Sequence, residues 1–209
     1  FMGGYFVFPG GHLDPGDCEP GLWENHCVQV PEVPGMMIQE PELPEPIARG
    51  LFMAAIRETF EECGILLAVL ESGSSIDFTD ADTEARLKAY RRRLHDGEMS
   101  LKDIAVKESL LFTPGSLIPY AHWITPASQP LRYDTRFFLA MLPEGQRAAH
   151  DEDELTEAIW LDPGLALEMN RAGSISLPPP TLKTVEEIGC FRDARQLWAA
   201  AARREIFPV

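Results

Sequence analysis

At 209 residues, 45% hydrophobic and 24% charged, the chain has the composition of a globular protein with one well-buried core, and its length does not call for a second. A formal net charge of −15 works against a nucleic-acid polymer as partner, whereas a small anionic substrate is compatible if bound cations supply positive charge locally. The longest apolar run, residues 64–70, falls far short of the roughly 20 residues a membrane span needs, and four scattered cysteines without a CxxC pair argue against a disulfide framework. The expectation is therefore one domain over 1–209, with no membrane attachment and a reducing, cytoplasmic setting.

The chain starts at Phe1 rather than Met and runs at once into an apolar stretch at 5–8, read as a strand whose upstream part is incomplete. Gly10-Gly11, after an aromatic strand and Pro9, marks a tight turn where backbone can approach a ligand closely, and Asp14-Pro15-Gly16-Asp17 continues it. Residues 18–46 are crowded with Pro and Glu and keep no period, which predicts a long irregular insertion.

The next segment predicts a helix from about Ile47 to Gly64, the glycine supplying a left-handed stop. At 100° per residue Phe52, Ile56, Phe60 and Cys63 form one stripe, and Glu58, Glu61 and Glu62 gather opposite it. Three like charges on one face repel one another unless a cation or solvent relieves them, and hard oxygen ligands suit Mg²⁺ or Mn²⁺. Arg57, at (i, i+4) from Glu61, is placed to hold one carboxylate. The plainer alternative for the triplet alone is a solvated acidic face.

A second helix is predicted over 79–94, with Leu87, Tyr90 and Leu94 as its apolar stripe and Arg91-Arg92-Arg93 complementing its own C-terminal dipole. Residues 103–111 read as a short helix, 123–125 and 133–142 as strands, and 158–161 as another strand. Asp162-Pro163 is a helix start, Leu177-Pro178-Pro179-Pro180 is expected to block regular structure, and 182–188 and 192–204 close the chain as helices. Such a mixture gives a layered α/β or α+β domain.

Several other residues carry chemistry. Arg132, Asp134 and Arg136 share a strand face, where either arginine can grip phosphate oxygens, and Phe137, Leu139 and Met141 read as core. Within the acidic stretch 151–154, Glu154 is a lesser candidate for the same carboxylate site. His12, Cys18, His26 and Cys27 have zinc-ligand chemistry but no finger spacing, so zinc is set aside. Cys63 reads as core, and His95, His122 and His150 show no partner.

Taken together, the two halves resemble the Nudix box: Gly11 and Asp17 match its opening, with Asp17 where glutamate is usual, and Arg57, Glu58, Glu61, Glu62 and Gly64 match its closing half, separated by a spacer some thirty residues too long. The interruption, with Phe1-Met2-Gly3-Gly4, Trp123-Ile124-Thr125-Pro126, the 132–138 segment and Leu177-Pro178-Pro179-Pro180, resembles the nucleoside-diphosphate-linked moiety X motif 19 family, the peroxisomal coenzyme A diphosphatases of animals, here as a bacterial member. Gly4, three residues on to Phe8-Pro9-Gly10-Gly11, is also similar to the tail of a coenzyme A-directed Nudix signature.

That resemblance implies an α/β/α sandwich around a mixed β-sheet, with extra helices, and hydrolysis of a diphosphate in a small nucleotide substrate of the coenzyme A class. It implies Glu58, Glu61 and Arg57 as catalytic, Glu58, Glu61, Glu62 and the Gly11 backbone as metal site, and Gly10, Gly11, Arg132 and Arg136 as substrate contacts, with Glu154 and Asp17 ranked lower. A homodimer is the oligomer considered. The runner-up readings are an ADP-ribose, NADH or dinucleoside polyphosphate pyrophosphatase and a nucleotide-binding module without catalysis. The ending Phe207-Pro208-Val209 does not resemble a peroxisomal Ser-Lys-Leu address.

Overall fold

The structure, a computed structural model, describes residues 5–147 and 159–209, which fall into two compact units. One comprises 9–117 with 140–147 and the other 5–8, 118–139 and 159–209. Expectations for Phe1-Met2-Gly3-Gly4, His150, the 151–154 stretch with Glu154 and position 158 lie outside the described residues.

In the first unit a 3₁₀ turn, Pro15–Cys18, precedes α1 (Pro20–His26), α2 (Pro34–Met37) and the long α3 (Glu45–Cys63). There follow β1 (Ala68–Leu70), α4 (Ala81–His95), α5 (Leu101–Glu108) and β2 (Leu110–Phe112). Helix α3 carries Pro46 in its first turn, where no N–H is required of it, and stops at Gly64 with φ 70°, whose N–H reaches Phe60 O. Of its apolar stripe Phe52 and Ile56 are 0% exposed and Phe60 1%, with Met53 beside them also at 0%, whereas Cys63 at the helix end is only half-buried.

The 18–46 segment is not the irregular insertion expected from its composition. Helices α1 and α2 are seven and four residues long, each opened by proline, too short for a period to show against the Pro and Glu background. They pack behind α3: the Trp23 ring meets Phe52 edge-on at 6.4 Å, and Cys27 Sγ lies 3.6 Å from Met53 Sδ. The segment then joins the sheet, since Val28 N–H donates to Phe112 O at 2.8 Å and Cys27 forms a parallel bridge with Phe112. At Gly50 an added Cβ would meet Leu13 and the backbone of Asp17, so glycine there lets the 3₁₀ turn lie against α3.

Strand β2 pairs antiparallel with β1, Val69 opposite Leu111, so the mixed pairing expected of one larger sheet is present here as an antiparallel pair plus a parallel bridge. Asp80 caps α4 by accepting Thr83 N–H at 2.8 Å, and a Ser100/Asp103 capping box starts α5 two residues before the expected 103. That helix ends at Glu108, not 111, because Ser109 turns left-handed (φ 52°) and the following apolar residues become β2. Arg86 grips both oxygens of Glu108, at 2.7 and 3.0 Å, and ties α4 to α5.

In the second unit β3 (Leu117–Ile124) pairs with β4 (Asp134–Ala140), followed by α6 (Pro163–Arg171), α7 (Pro179–Ile188) and α8 (Ala194–Ala201). Ile118, Tyr120 and Ala201 form one core with Ile188, Leu197 and Trp198, and Ala166, Ile175 and Val185 another with Phe6 and Leu161. Asp162 caps α6 as expected, accepting Gly164 N–H at 2.8 Å. Three expectations change. Residues 5–8 form no strand, because Phe6 makes one backbone bond, to Ser176 O, and then enters a side-chain cluster. Residues 159–161 are irregular, and Pro179 and Pro180 begin α7 instead of blocking it, since the first turn of a helix needs no amide donors. Among the described residues no helix is long and apolar enough to cross a membrane.

Leu22, 2% exposed on α1, tests whether the insertion belongs to the core. Leu22→Ala should cost about 2–5 kcal/mol in urea unfolding, as buried leucine truncations do; a loss below about 0.5 kcal/mol would make the insertion an appendage.

Candidate active site

The candidate site is built around a buried arginine. Arg57, 8% exposed on α3, points back across the glycine loop and holds Asp17 with two arms, Nε to Oδ1 and Nη2 to Oδ2, both at 3.0 Å. Nη2 also donates to His12 O at 2.7 Å, and Nη1 donates to Glu58 Oε1 at 2.8 Å and Glu61 Oε1 at 3.1 Å. Burial works against the charged guanidinium, but its bonds to Asp17 and Glu61 and the charges of Asp17 and Glu58 outweigh that, so Arg57 is held above the ordinary arginine value. The (i, i+4) hold on Glu61 is present as expected. Asp17, 4% exposed, commits its oxygens to Arg57 and to Asp14 N–H, which makes it the loop's anchor.

The two glycines act through proximity. Neither Gly10 nor Gly11 has a positive φ. An added Cβ at Gly11 would fall within the Glu58 carboxylate, with Cδ 2.6 Å away, and Gly10 N–H donates to Glu62 Oε2 at 3.1 Å. The loop backbone is thus laid directly on two of the three glutamates.

Glu61 lies against three positively charged or ionisable side chains. Burial pushes its carboxyl above the ordinary glutamate value, against the downward pull of the Arg57 bond and charge. His95 Nδ1 of α4 stands 3.8 Å from Glu61 Oε2, although the histidine shows no partner in sequence. Arg91, also of α4, donates from Nε to Glu61 O at 2.5 Å and from Nη2 to Glu62 O at 2.7 Å. It therefore serves the end of α3, not the C-terminal dipole of its own helix as expected. The signal was there: Arg91 falls between Leu87 and Leu94 on the α4 apolar stripe, where a solvated arginine does not belong.

Carboxylate oxygens of this kind fit a hard divalent cation, and Glu58 and Glu61 each direct one oxygen to Arg57 and carry a second. Among the described residues no three His, Cys, Asp or Glu side chains are gathered around one point; Glu62 faces Gly10 N–H while the Oε1 atoms of Glu58 and Glu61 face Arg57.

Arg132 and Arg136 belong to the second unit. Strand β4 starts at Asp134, so Arg132 precedes it and donates to Thr125 O at 3.0 Å instead of sharing the strand face. Arg136 pairs with Asp134 at 2.9 Å, and the same carboxylate oxygen meets His122 Nε2 at 2.5 Å, so His122 too has a partner that spacing did not reveal. Burial works against the Asp134 anion, but the His122 bond and the Arg136 charge hold it below the ordinary aspartate value. Met141, expected in the core, is exposed beyond the end of β4. Cys63 is half-buried, with its thiol pushed up by burial and then by Glu62.

The family model described as NUDT19 Nudix domain matches residues 1–188. The acyl-coenzyme A diphosphatase NUDT19 of Xenopus laevis is 26% identical over 99% of this chain and 61% of that protein. The human protein of that name is 26% identical over 94% of this chain and 59% of its own length, and putative nudix hydrolase 7 of Caenorhabditis elegans 26% over 92% and 53%. The chain thus spans at most 61% of the length of these relatives. The crystal structure of a Nudix hydrolase from Alicyclobacillus acidocaldarius superposes with a TM-score of 0.71 over 96% of this chain and 82% of the other, at 24% identity, and so shares its fold. Matched by that family model across both compact units, the chain belongs to the NUDT19 Nudix domain family.

Proposed function

We propose that the chain is a diphosphohydrolase that cleaves coenzyme A or an acyl-coenzyme A at its diphosphate, giving phosphopantetheine or its acyl form and adenosine 3',5'-bisphosphate. The observation that carries this is the placement of Glu58, Glu61 and Glu62 at one end of α3 with the Gly10-Gly11 backbone laid against Glu58 and Glu62. The names of the Xenopus and human relatives support the choice of substrate. The single family match running through both units supports reading them as one domain, and the four free thiols suit a reducing, cytoplasmic setting.

Nudix hydrolases generally use divalent metal ions; Mg²⁺ or Mn²⁺ is the choice proposed here, held by Glu58, Glu61 and Glu62 with the Gly11 carbonyl. The chemistry supplied by such an ion is charge neutralisation on the diphosphate and acidification of the attacking water. The protein's own part is geometric. Arg57 fixes one oxygen each of Glu58 and Glu61, Asp17 fixes Arg57, and the Gly10 amide orients Glu62. Glu61 is proposed as ligand or base, and Arg132 and Arg136 as phosphate contacts.

Incubation of the purified chain with coenzyme A and Mg²⁺ or Mn²⁺ should yield phosphopantetheine and adenosine 3',5'-bisphosphate, identified by mass. Cleavage of ADP-ribose, NADH or a dinucleoside polyphosphate in their place would retain the enzyme and reject the substrate; saturable nucleotide binding without products would favour the binding module. Glu61→Gln and Glu62→Gln keep an acceptor oxygen and remove a charge, so turnover should fall by about a hundredfold or more while thermal stability stays level or rises. Near-native turnover in both variants removes this face from consideration as the active site. Gly11→Ala pushes the Glu58 carboxylate off Arg57; the expected result is turnover down about tenfold or more for a stability loss of about 1 kcal/mol, and unchanged turnover would show that the close approach has no function.

A further inference from the structure

We infer that Arg91 is a positioning residue for the carboxylate end of α3, an inference that rests on the reading of that end as a cation-dependent site. The last carbonyls of a helix have no partner within it, and they carry the negative end of its dipole. In α3 that end coincides with the glutamates. Phe60 O is taken by Gly64 N–H at 2.9 Å. The next two carbonyls, Glu61 O and Glu62 O, are taken by the Arg91 guanidinium at 2.5 and 2.7 Å. Arg91 is 5% exposed, and Leu87 and Leu94 on either side of it along α4 are buried as well, so the arm comes from a packed helix and not from a flexible surface.

A planar guanidinium spans two successive carbonyls, which a lysine ammonium cannot do with the same fixed fork. Holding those two oxygens fixes the peptide planes of the turn that carries Glu61 and Glu62, while Glu58 is held one turn earlier by Arg57. Without the arm, two helix-end carbonyls would lose their partner beside three carboxylates of the same sign. The local relief is fraying of the last turn at Gly64, which moves Glu61 and Glu62 relative to Glu58. Helix α4 thereby becomes part of the site without touching substrate.

The test is direct Mn²⁺ binding to the folded chain, followed by electron paramagnetic resonance, beside steady-state kinetics with coenzyme A. Arg91→Lys keeps the charge but not the fork; it should weaken Mn²⁺ binding about tenfold and lower kcat by a similar factor, with KM for the nucleotide nearly unchanged. Leu87→Ala is the control: it destabilises α4 yet leaves both carbonyls held, so well below its thermal midpoint it should bind Mn²⁺ as the parent chain does. If circular dichroism shows that Arg91→Lys does not fold, Arg91→Gln takes its place in the same comparison. Mn²⁺ affinity within twofold of the parent in the Arg91 variant, or an equal loss in Leu87→Ala, overturns the inference. A parent chain whose Mn²⁺ binding is absent, or unaffected by Glu62→Gln, overturns the cation-site reading itself and the inference with it, and that outcome is recognisable because it does not involve Arg91.

Discussion

The grip of Arg57 on Asp17 is the constraint on which the rest of the first unit depends. Two opposite charges are taken out of water together, and a buried pair of this kind is favourable only when geometry is good and the remaining donors are satisfied. Here they are: the guanidinium meets both Asp17 oxygens, the His12 carbonyl and two glutamate oxygens, while Asp17 also accepts Asp14 N–H. One side chain of α3 therefore closes the glycine loop onto the helix and orders two of its carboxylates. Forty positions separate the partners in sequence. Lengthening a loop from about ten to about forty residues is two doublings, an entropic cost of only about 1.2 kcal/mol, so a long insertion between the two halves of the motif is tolerable once both ends are locked.

That insertion does more than fill the gap. With α1 and α2 behind α3 and Val28 bonded to Phe112, it supplies contacts on the face opposite the glutamates, which stiffens the helix from the side where no ligand is expected. The helix thus separates two tasks by angle. Phe52, Met53, Ile56 and Phe60 carry packing, and Glu58, Glu61 and Glu62 carry charge. Arg57 lies at the seam, with a buried stem and a head turned toward the charges.

How far this was legible in the sequence depended on the range of the signal. Helix α3, its Gly64 stop and the Asp162 cap rest on local chemistry repeated over several residues and stand as expected, while of the α3 packing stripe Cys63 alone is only half-buried. The insertion helices did not show because seven and four residues span at most two turns. Pro179 and Pro180 depart from expectation because proline blocks the inside of a helix but suits its first turn, and composition does not say which applies. At the site, Arg57 with Glu61 was visible as an (i, i+4) pair. The contacts of Arg91 and His95 join α4 to α3 across thirty-odd residues, and no spacing rule encodes them. Asp17 was visible as a motif position, but its role as an anchor depends on where Arg57 turns.

The charge balance of the cluster separates a scaffold from a site. Glu58, Glu61 and Glu62 stand near the C-terminal end of α3 with Asp17 bonded to Arg57 beside them, and the helix dipole adds negative potential there. Against them stand the guanidinium groups of Arg57 and Arg91, with His95 within ion-pair reach of Glu61. Evolution toward stability alone would neutralise one of the acids, since the burial of Glu61 raises the cost of its charge. The excess lies on the face approached by the Gly10 amide and the Gly11 backbone. A negative excess of this kind, ordered by two arginines and closely approached by the Gly10-Gly11 backbone, is the electrostatic complement that the proposed divalent cation and diphosphate would require.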